Sequence, residues 1–367
     1  MAAFIGKREA PLEAAVVRAS EMLAPCRMPL VAGLGADVAG MRMALRLAAR
    51  LGGAVDFCRA KGSTNLLRAL MDRGLVFTTP REARMRADVL MLVGPTVGRS
   101  EAITSILEGS PVLSAGESAR RGVLWLCPAN AADELSRFDM LVAEAQFIDI
   151  HGILAMLNAT IRSRPIQAEE FGGLYRGDYE EIAGRLITAR YGVIAFSPED
   201  LDPLAIEALF NFAEQLSTAT RVSLLPIVTD APAQTAAIVS AWSTGLPPRM
   251  GFARGYPEFD FWRFDAERLT RSRECDALLW LSPFDARGPN WKADMPVIAI
   301  TRPGAVFDRA PDVLIETEVT RADAPAEMFS DKFQGLIASP PTPGAGAHPS
   351  PAAILEQMLG HMEAQAS

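Results

Sequence analysis

The sequence predicts an α/β fold built as two related doubly wound parallel-sheet units. Three observations predict it. Apolar runs of strand length, among them 29–35, 87–93, 192–196 and 222–228, are continuously hydrophobic. Alternation would expose one face; continuous runs mark parallel strands covered on both. Helix-period segments separate these runs, as the crossovers of a parallel sheet require. The alternation also starts twice, with local echoes between the two halves.

Taken in order, residues 11–23 read as an amphipathic helix, and 29–35 as a buried strand ending in glycines. Residues 38–51 carry a strong helical pattern through Met41, Leu45, Ala48 and Leu51, stopped by Gly52 and Gly53. A short strand follows at 54–57, a helix at 65–72, an extended piece at 75–77 and a short helix at 80–86. Residues 87–93 form a strand ending at Gly94 and Pro95, followed by a helix near 100–107 and a strand at 122–127. The region 131–189 is more helical, broken at Arg164-Pro165 and at 171–173. The pattern then restarts with a strand at 192–196, a helix from Ser197 to Leu216 and a strand at 222–228. Further strands lie at 296–301 and 313–316.

The first echo sets 29–40 beside 191–202: strand, turn, acidic helix start. The second, stronger one sets 86–95 beside 274–283, each a charged helix end, an Asp, an apolar strand and a turn closing on Pro. A sequential division follows. It places a first α/β unit at 1–150, with its strand-rich part at 54–130, a helical connector at 151–190 and a second α/β unit at 191–338. A Pro/Gly linker at 339–351 can be neither helix nor sheet. A C-terminal amphipathic helix at 352–367 either docks on its own domain or on a partner.

The chain has 367 residues, 49% of them apolar, and a net charge of −8. That composition supports two or three domains with a sizeable core. The negative charge argues against nucleic acid as a partner. Cys26, Cys58, Cys127 and Cys275 form no C-x-x-C, which excludes a disulfide framework, a zinc knuckle or an iron–sulfur loop. Scattered cysteines in apolar surroundings suit reduced thiols and a cytoplasmic location. Lys7, Arg8 and Glu9 interrupt any leader-like start, and no apolar run is long enough to span a bilayer.

Familiar catalytic signatures are incomplete. The run from Gly33 through Gly35 to Val38, with Asp56 about 20 residues on, approaches a dinucleotide fingerprint. Val38 stands where that turn needs Gly or Ala, and a strand–helix turn is the plainer reading. Gly35 and Gly40 are not followed by the Lys–Ser/Thr pair of a phosphate loop. The segment 116–120 lacks the closing glycine of a nucleophile elbow. The histidines are His151, His348 and His361, so acid–base chemistry would rest on His151. Glu169-Glu170 and Glu180-Glu181 read as solvated helix faces.

The stretch 244–264 fits no regular element. It combines Gly and Pro with Arg249, Arg254, Arg263 and a row of aromatics. Such surfaces hold planar or anionic groups; a surface loop with an apolar underside has the same composition. Its run of Arg249, Phe252, Arg254, Gly255, Tyr256 and Pro257 resembles the B subunit of formylmethanofuran dehydrogenases. The resemblance continues through 271–283, 29–35 and 86–94, and so covers about 29–316. It implies domains like the pterin-binding domains of formate dehydrogenase-type molybdopterin enzymes.

Those enzymes hold a 4Fe–4S cluster in a cysteine-rich segment, and carry a Cys-His-Gly whose cysteine or selenocysteine ligates tungsten or molybdenum with the His beside it. The sequence has no such cysteine cluster. An ungapped placement sets Ala60, Lys61 and Gly62 at the Cys-His-Gly, while Arg254, Gly255 and Tyr256 fall where the family places an arginine near metal and substrate. The resemblance therefore implies a vestigial active-site cleft formed by these six residues, with no catalytic or metal-binding residue. Pterin, tungsten or molybdenum and the iron–sulfur cluster are all expected to be absent.

The chain resembles a shortened version of that dehydrogenase subunit, without metal cofactors, which the formyltransferase/hydrolase complex of methylotrophic bacteria contains. That likeness implies a non-catalytic structural subunit, with hydrolase (A), formyltransferase (D) and C subunits as partners. The reaction it would serve converts formyl-tetrahydromethanopterin to formate via a formyl-methanofuran-type carrier in one-carbon oxidation. Arg59, Lys61 and Arg254 could hold an anion there, or serve salt bridges. Two alternatives stay open: an active pterin enzyme with a ligand such as Cys58, and a nicotinamide-dependent oxidoreductase.

Overall fold

The computed structural model describes residues 2–57, 61–74, 76–112, 120–128, 135, 137–284, 286–317, 326–340 and 349–366. The chain forms two compact units. The first comprises Met1–Ala60, Asp230–Phe329 and Leu336–Ser367, the second Lys61–Thr229 and Ser330–Gly335.

In the first unit, five parallel strands run in the spatial order Ala54–Val55, Pro29–Ala32, Ala277–Ser282, Val297–Thr301, Val313–Glu316. Antiparallel pieces finish both edges: Met250–Gly251 and Glu258–Phe259 beside Ala54–Val55, Ala2–Ile5 and Arg8–Glu9 beside Val313–Glu316. The strands bury both faces. Val31, Leu279, Leu281, Ile298 and Ile300 point into a core shared with the helices Leu12–Leu23, Val38–Leu51, Ala231–Thr244 and Pro351–Ala366. Leu30, Ala32, Leu278, Trp280, Val297 and Ala299 point the other way, onto Phe264 and Leu269. The C-terminal helix thus docks within its own unit. Ile354, Leu355, Met358 and Met362 are buried, and Ser20 Oγ donates to the Met358 carbonyl at 3.2 Å.

The second unit holds an all-parallel sheet in the order Val222–Pro226, Gly192–Phe196, Val89–Val93, Gly122–Leu126, Leu141–Ala143. One face packs on the helices Lys61–Asp72, Ile150–Ile161, Arg176–Ile187 and Pro203–Leu216, the other on Pro80–Arg86 and Glu101–Leu107.

Each echo of the sequence lands in an equivalent position. Pro29–Ala32 pairs with Ala277–Ser282, and Gly192–Phe196 pairs with Val89–Val93, all parallel. The register makes Pro29 equivalent to Gly192, since Pro29 faces Ala277 and Gly192 faces Val89. That is one residue off the side-by-side reading of 29–40 and 191–202.

The units are not sequential, which corrects the boundaries at 150, 190 and 338. Each combines the early strand of one repeat with the later strand of the other, so the chain passes between units near 60 and near 230, and makes a short excursion at Ser330–Gly335. The stretch 151–190 is no connector either. Its Ile153, Leu154, Leu157, Tyr179, Ile182 and Leu186 are core residues of the second unit. Of the Pro/Gly linker, 341–348 lie outside the described residues.

Candidate functional site

The stretch 244–264 is built around Arg249. Gly245 ends the preceding helix in the left-handed region at φ +79°, where a side chain would be strained. Directly after the Pro247-Pro248 pair, Arg249 itself takes φ +75°, a conformation uncommon without glycine. It is held there from both sides. Its backbone N–H donates to Val55 O at 3.0 Å, and its carbonyl accepts from Asp260 N at 3.1 Å. The guanidinium reaches Asp56 Oδ1 at 3.2 Å, the Phe261 carbonyl at 3.0 Å and Asp265 Oδ2 at 2.7 Å. One planar fork thus ties the strand end at Asp56 to both limbs of the stretch.

Asp56 is only 3% exposed. Besides Arg249 it accepts from Phe57 N at 2.8 Å and Ala266 N at 2.7 Å. Burial pushes its carboxyl up to about 6, against the opposing pull of Arg249 and these N–H groups. The candidate ribose acid of the dinucleotide reading is therefore an internal anchor.

The glycines of that reading have packing roles as well. A Cβ on Gly33 would stand 2.9 Å from Leu281 O, and one on Gly35 would stand 3.3 Å from Ser282 Cα. Asp37 caps the following helix by accepting from Gly40 N at 2.8 Å.

Arg254, Gly255 and Tyr256 sit at the tip of the stretch. Gly255 takes φ +81° and donates to Phe252 O at 2.9 Å, closing a tight turn. Arg254 is 62% exposed and pairs with Glu258 at 3.2 Å. These three belong to the first unit, whereas Lys61 and Gly62 open a helix of the second. Lys61 is exposed and Gly62 buried. A Cβ on Gly62 would meet Glu199 Cγ at 2.5 Å and Glu199 N at 3.1 Å, so close packing accounts for this glycine. The same helix is tied down by Asn65, whose amide donates to Leu201 O at 2.8 Å. Ala60, Arg59 and Cys58, as well as 116–119 and His348, lie outside the described residues.

His151 is half exposed and sits 3.0 Å from Asp202 Oδ2, while Asp202 caps the helix Pro203–Leu216 through Ala205 N at 2.8 Å. The three described cysteines lie apart in the chain, in buried or half-buried places. Burial raises Cys127 to about 12, and Cys26 and Cys275 to about 11, so all three stay protonated thiols. Among the described residues, no three His, Cys, Asp or Glu side chains converge as a ligand set.

Sequence reasoning missed an open groove of about 760 Å³ on the first unit. Arg42 and Arg46 of the helix Val38–Leu51, Trp242 of the helix Ala231–Thr244, and Phe252, Tyr256 and Pro257 of the following stretch line it. The available signal was Arg at i and i+4 on the polar face of an otherwise apolar helix.

No family model matches the sequence. The chain is 33% identical over 341 residues to the B subunit of the formyltransferase/hydrolase complex Fhc of Methylorubrum extorquens, covering 92% of this chain and 90% of that one. It belongs to the family of formyltransferase/hydrolase complex B subunits. A crystal structure agrees with this: that of the formyltransferase/hydrolase complex FhcABCD from Methylorubrum extorquens with methylofuran contains a chain of the same fold. The TM-score is 0.88 at 29% identity, with 99% of each chain covered. The α/β architecture is thus shared over essentially the whole length of the chain. No helix of the described residues is long and apolar enough to cross a membrane.

Proposed function

We propose that this chain is the B subunit of a cytoplasmic formyltransferase/hydrolase complex, assembling with its hydrolase (A), formyltransferase (D) and C subunits. In this reading the complex converts formyl-tetrahydromethanopterin to formate via a formyl-methanofuran-type carrier. The chain itself contributes structure rather than chemistry. The observation that carries the reading is similarity over nearly the whole chain, in sequence to the B subunit of such a complex and in fold to a chain of such a complex's crystal structure.

Two features support the non-catalytic part. Arg249 of the 244–264 stretch and the buried Asp56 satisfy each other as an internal ion pair, which accounts for both without a catalytic role. The described thiols are held protonated by burial. The duplicated α/β units suit descent from a pair of pterin-binding domains, with the metal side lost at Ala60 and Lys61 and the arginine side kept at Arg254. Pterin, tungsten or molybdenum and an iron–sulfur cluster are proposed to be absent.

Co-expression with the three other subunits, followed by metal analysis of the purified assembly, tests this. The expected result is a stoichiometric complex carrying no tungsten, molybdenum or iron attributable to this chain, which alone neither hydrolyses formyl carrier nor oxidises formate. Stoichiometric tungsten or molybdenum on the chain, or turnover by the isolated polypeptide, overturns the reading.

A further inference from the structure

The groove beside Tyr256 has three properties that belong together. It is large and open, with a volume of about 760 Å³. It exposes aromatic surface: Trp242 is 55% and Tyr256 53% exposed. Among the described residues its cations have no acidic partner: Arg46 reaches the Met43 sulfur at 3.6 Å, and neither Arg42 nor Arg46 pairs with a carboxylate.

Trp, Tyr and Arg are the side chains that dominate protein–protein binding energy, most strongly where they cluster in a concave patch. Surface aromatics of this size cost free energy in water and regain it on burial. Arg42 and Arg46 stand one helical turn apart, so their heads present two positive points about 6 Å apart at their base. The chain as a whole carries a net charge of −8. A locally basic groove on an acidic surface favours one orientation of an approaching acidic partner over all others. The open form suits a length of polypeptide better than an enclosed small ligand, most of whose surface would normally be buried.

We propose that this groove docks a segment of another subunit of the same complex, one bearing an apolar side chain flanked by carboxylates. The apolar side chain lies between Trp242 and Tyr256, and the carboxylates meet Arg42 and Arg46. The inference rests on the reading of this chain as a component of that complex.

The test uses the full chain co-expressed with the three other subunits, with assembly followed by light scattering across a dilution series. The Arg42→Glu/Arg46→Glu double variant and the separate Trp242→Ala variant are expected to weaken assembly roughly tenfold or more. Both retain the wild-type melting temperature, since all three side chains are exposed. Arg42→Lys/Arg46→Lys keeps the charges and retains most of the assembly. Added salt weakens the wild type but not the charge-reversed variant. Variants that assemble with wild-type affinity overturn the groove inference alone. A wild-type chain that does not assemble sinks the reading of the chain as a complex component, and this inference with it. Stabilisation of the isolated chain by salicylate, with variants that assemble normally, identifies a small-ligand groove and also overturns the proposal.

Discussion

Asp276 and Asp88 occupy the same place in the two units, and each fastens the strand beside its own. Asp276 accepts from Arg27 N at 2.6 Å and Met28 N at 3.1 Å, just before the strand Pro29–Ala32. Asp88 accepts from Arg190 N at 2.9 Å and Tyr191 N at 2.8 Å, just before Gly192–Phe196. Two consecutive N–H groups on one carboxylate fix both the register and the entry angle of a parallel neighbour. Hydrogen bonds to a charged group contribute about 1.5–3 kcal/mol, less where water competes. Asp276→Ala and Asp88→Ala should therefore each lower stability by about 1–2 kcal/mol in urea titrations, and the Asn variants by about half as much. No loss in either would remove the clamp from the account of register.

Arg249 is the second prediction. Its fork joins Asp56, Asp265 and the Phe261 carbonyl while the backbone is held at φ +75°. Arg249→Ala leaves Asp56 buried without its counter-charge, and breaking such a pair costs on the order of 3–5 kcal/mol. Lys cannot reach three acceptors in one plane, so Arg249→Lys should recover less than half of the loss. Thermal melts of the two variants read this directly. Limited proteolysis within 244–264 should rise in parallel; equal protection in all three proteins would mean that the stretch is held by its aromatics alone.

The pH dependence of the same carboxyl has a definite sign. The folded state raises Asp56 from its ordinary value of 3.8 to about 6, mainly through burial. A carboxyl raised on folding stabilises the fold fully below the unfolded pKa, and that contribution is lost as pH rises through the folded one. Asn mimics the protonated form and does not titrate. The stability of the wild type relative to Asp56→Asn should then fall between about pH 4 and pH 7, by on the order of 1–3 kcal/mol. Melts of both proteins across that range are the measurement. A difference that grows with pH would show the Arg249 pair outweighing burial.

Much of the fold was legible because its strands are continuous apolar runs, and such runs need no knowledge of their neighbours. The units were not legible, because strand partners are set by tertiary pairing: nothing local in Pro29–Ala32 says that it lies beside Ala277–Ser282. The edge pieces Arg8–Glu9 and Met250–Gly251 are too short to show a period of two. The helix Ala231–Thr244 was missed despite its Asp230 cap, its early Pro232 and its Gly245 stop. Its apolar residues are spread too evenly around it to form a stripe. In the site, the Arg249 run was visible as a motif, but its partner Asp56 lies far away in sequence and looked like a ribose ligand. Trp242, Arg42 and Arg46 come from two separate helices, and only packing makes them one groove.

The C-terminal helix gives the last prediction. Its Ile354, Leu355, Met358 and Met362 are buried in the same core as Leu45, Leu47 and Val16, and Ser20 bonds to the Met358 carbonyl. The helix is therefore part of the first unit's structure rather than a tail kept for a partner. Truncating a fully buried Met to Ala costs about 2–5 kcal/mol through lost transfer energy and the cavity left behind. Met358→Ala should destabilise the isolated chain by that order. Glu356→Ala, an exposed change on the same helix, should stay within about 0.5 kcal/mol of wild type. If the helix served mainly to reach another polypeptide, the ranking would differ: Met358→Ala would leave the isolated chain's melting temperature unchanged and weaken only the assembly. Melting the chain alone and in the complex separates the two outcomes.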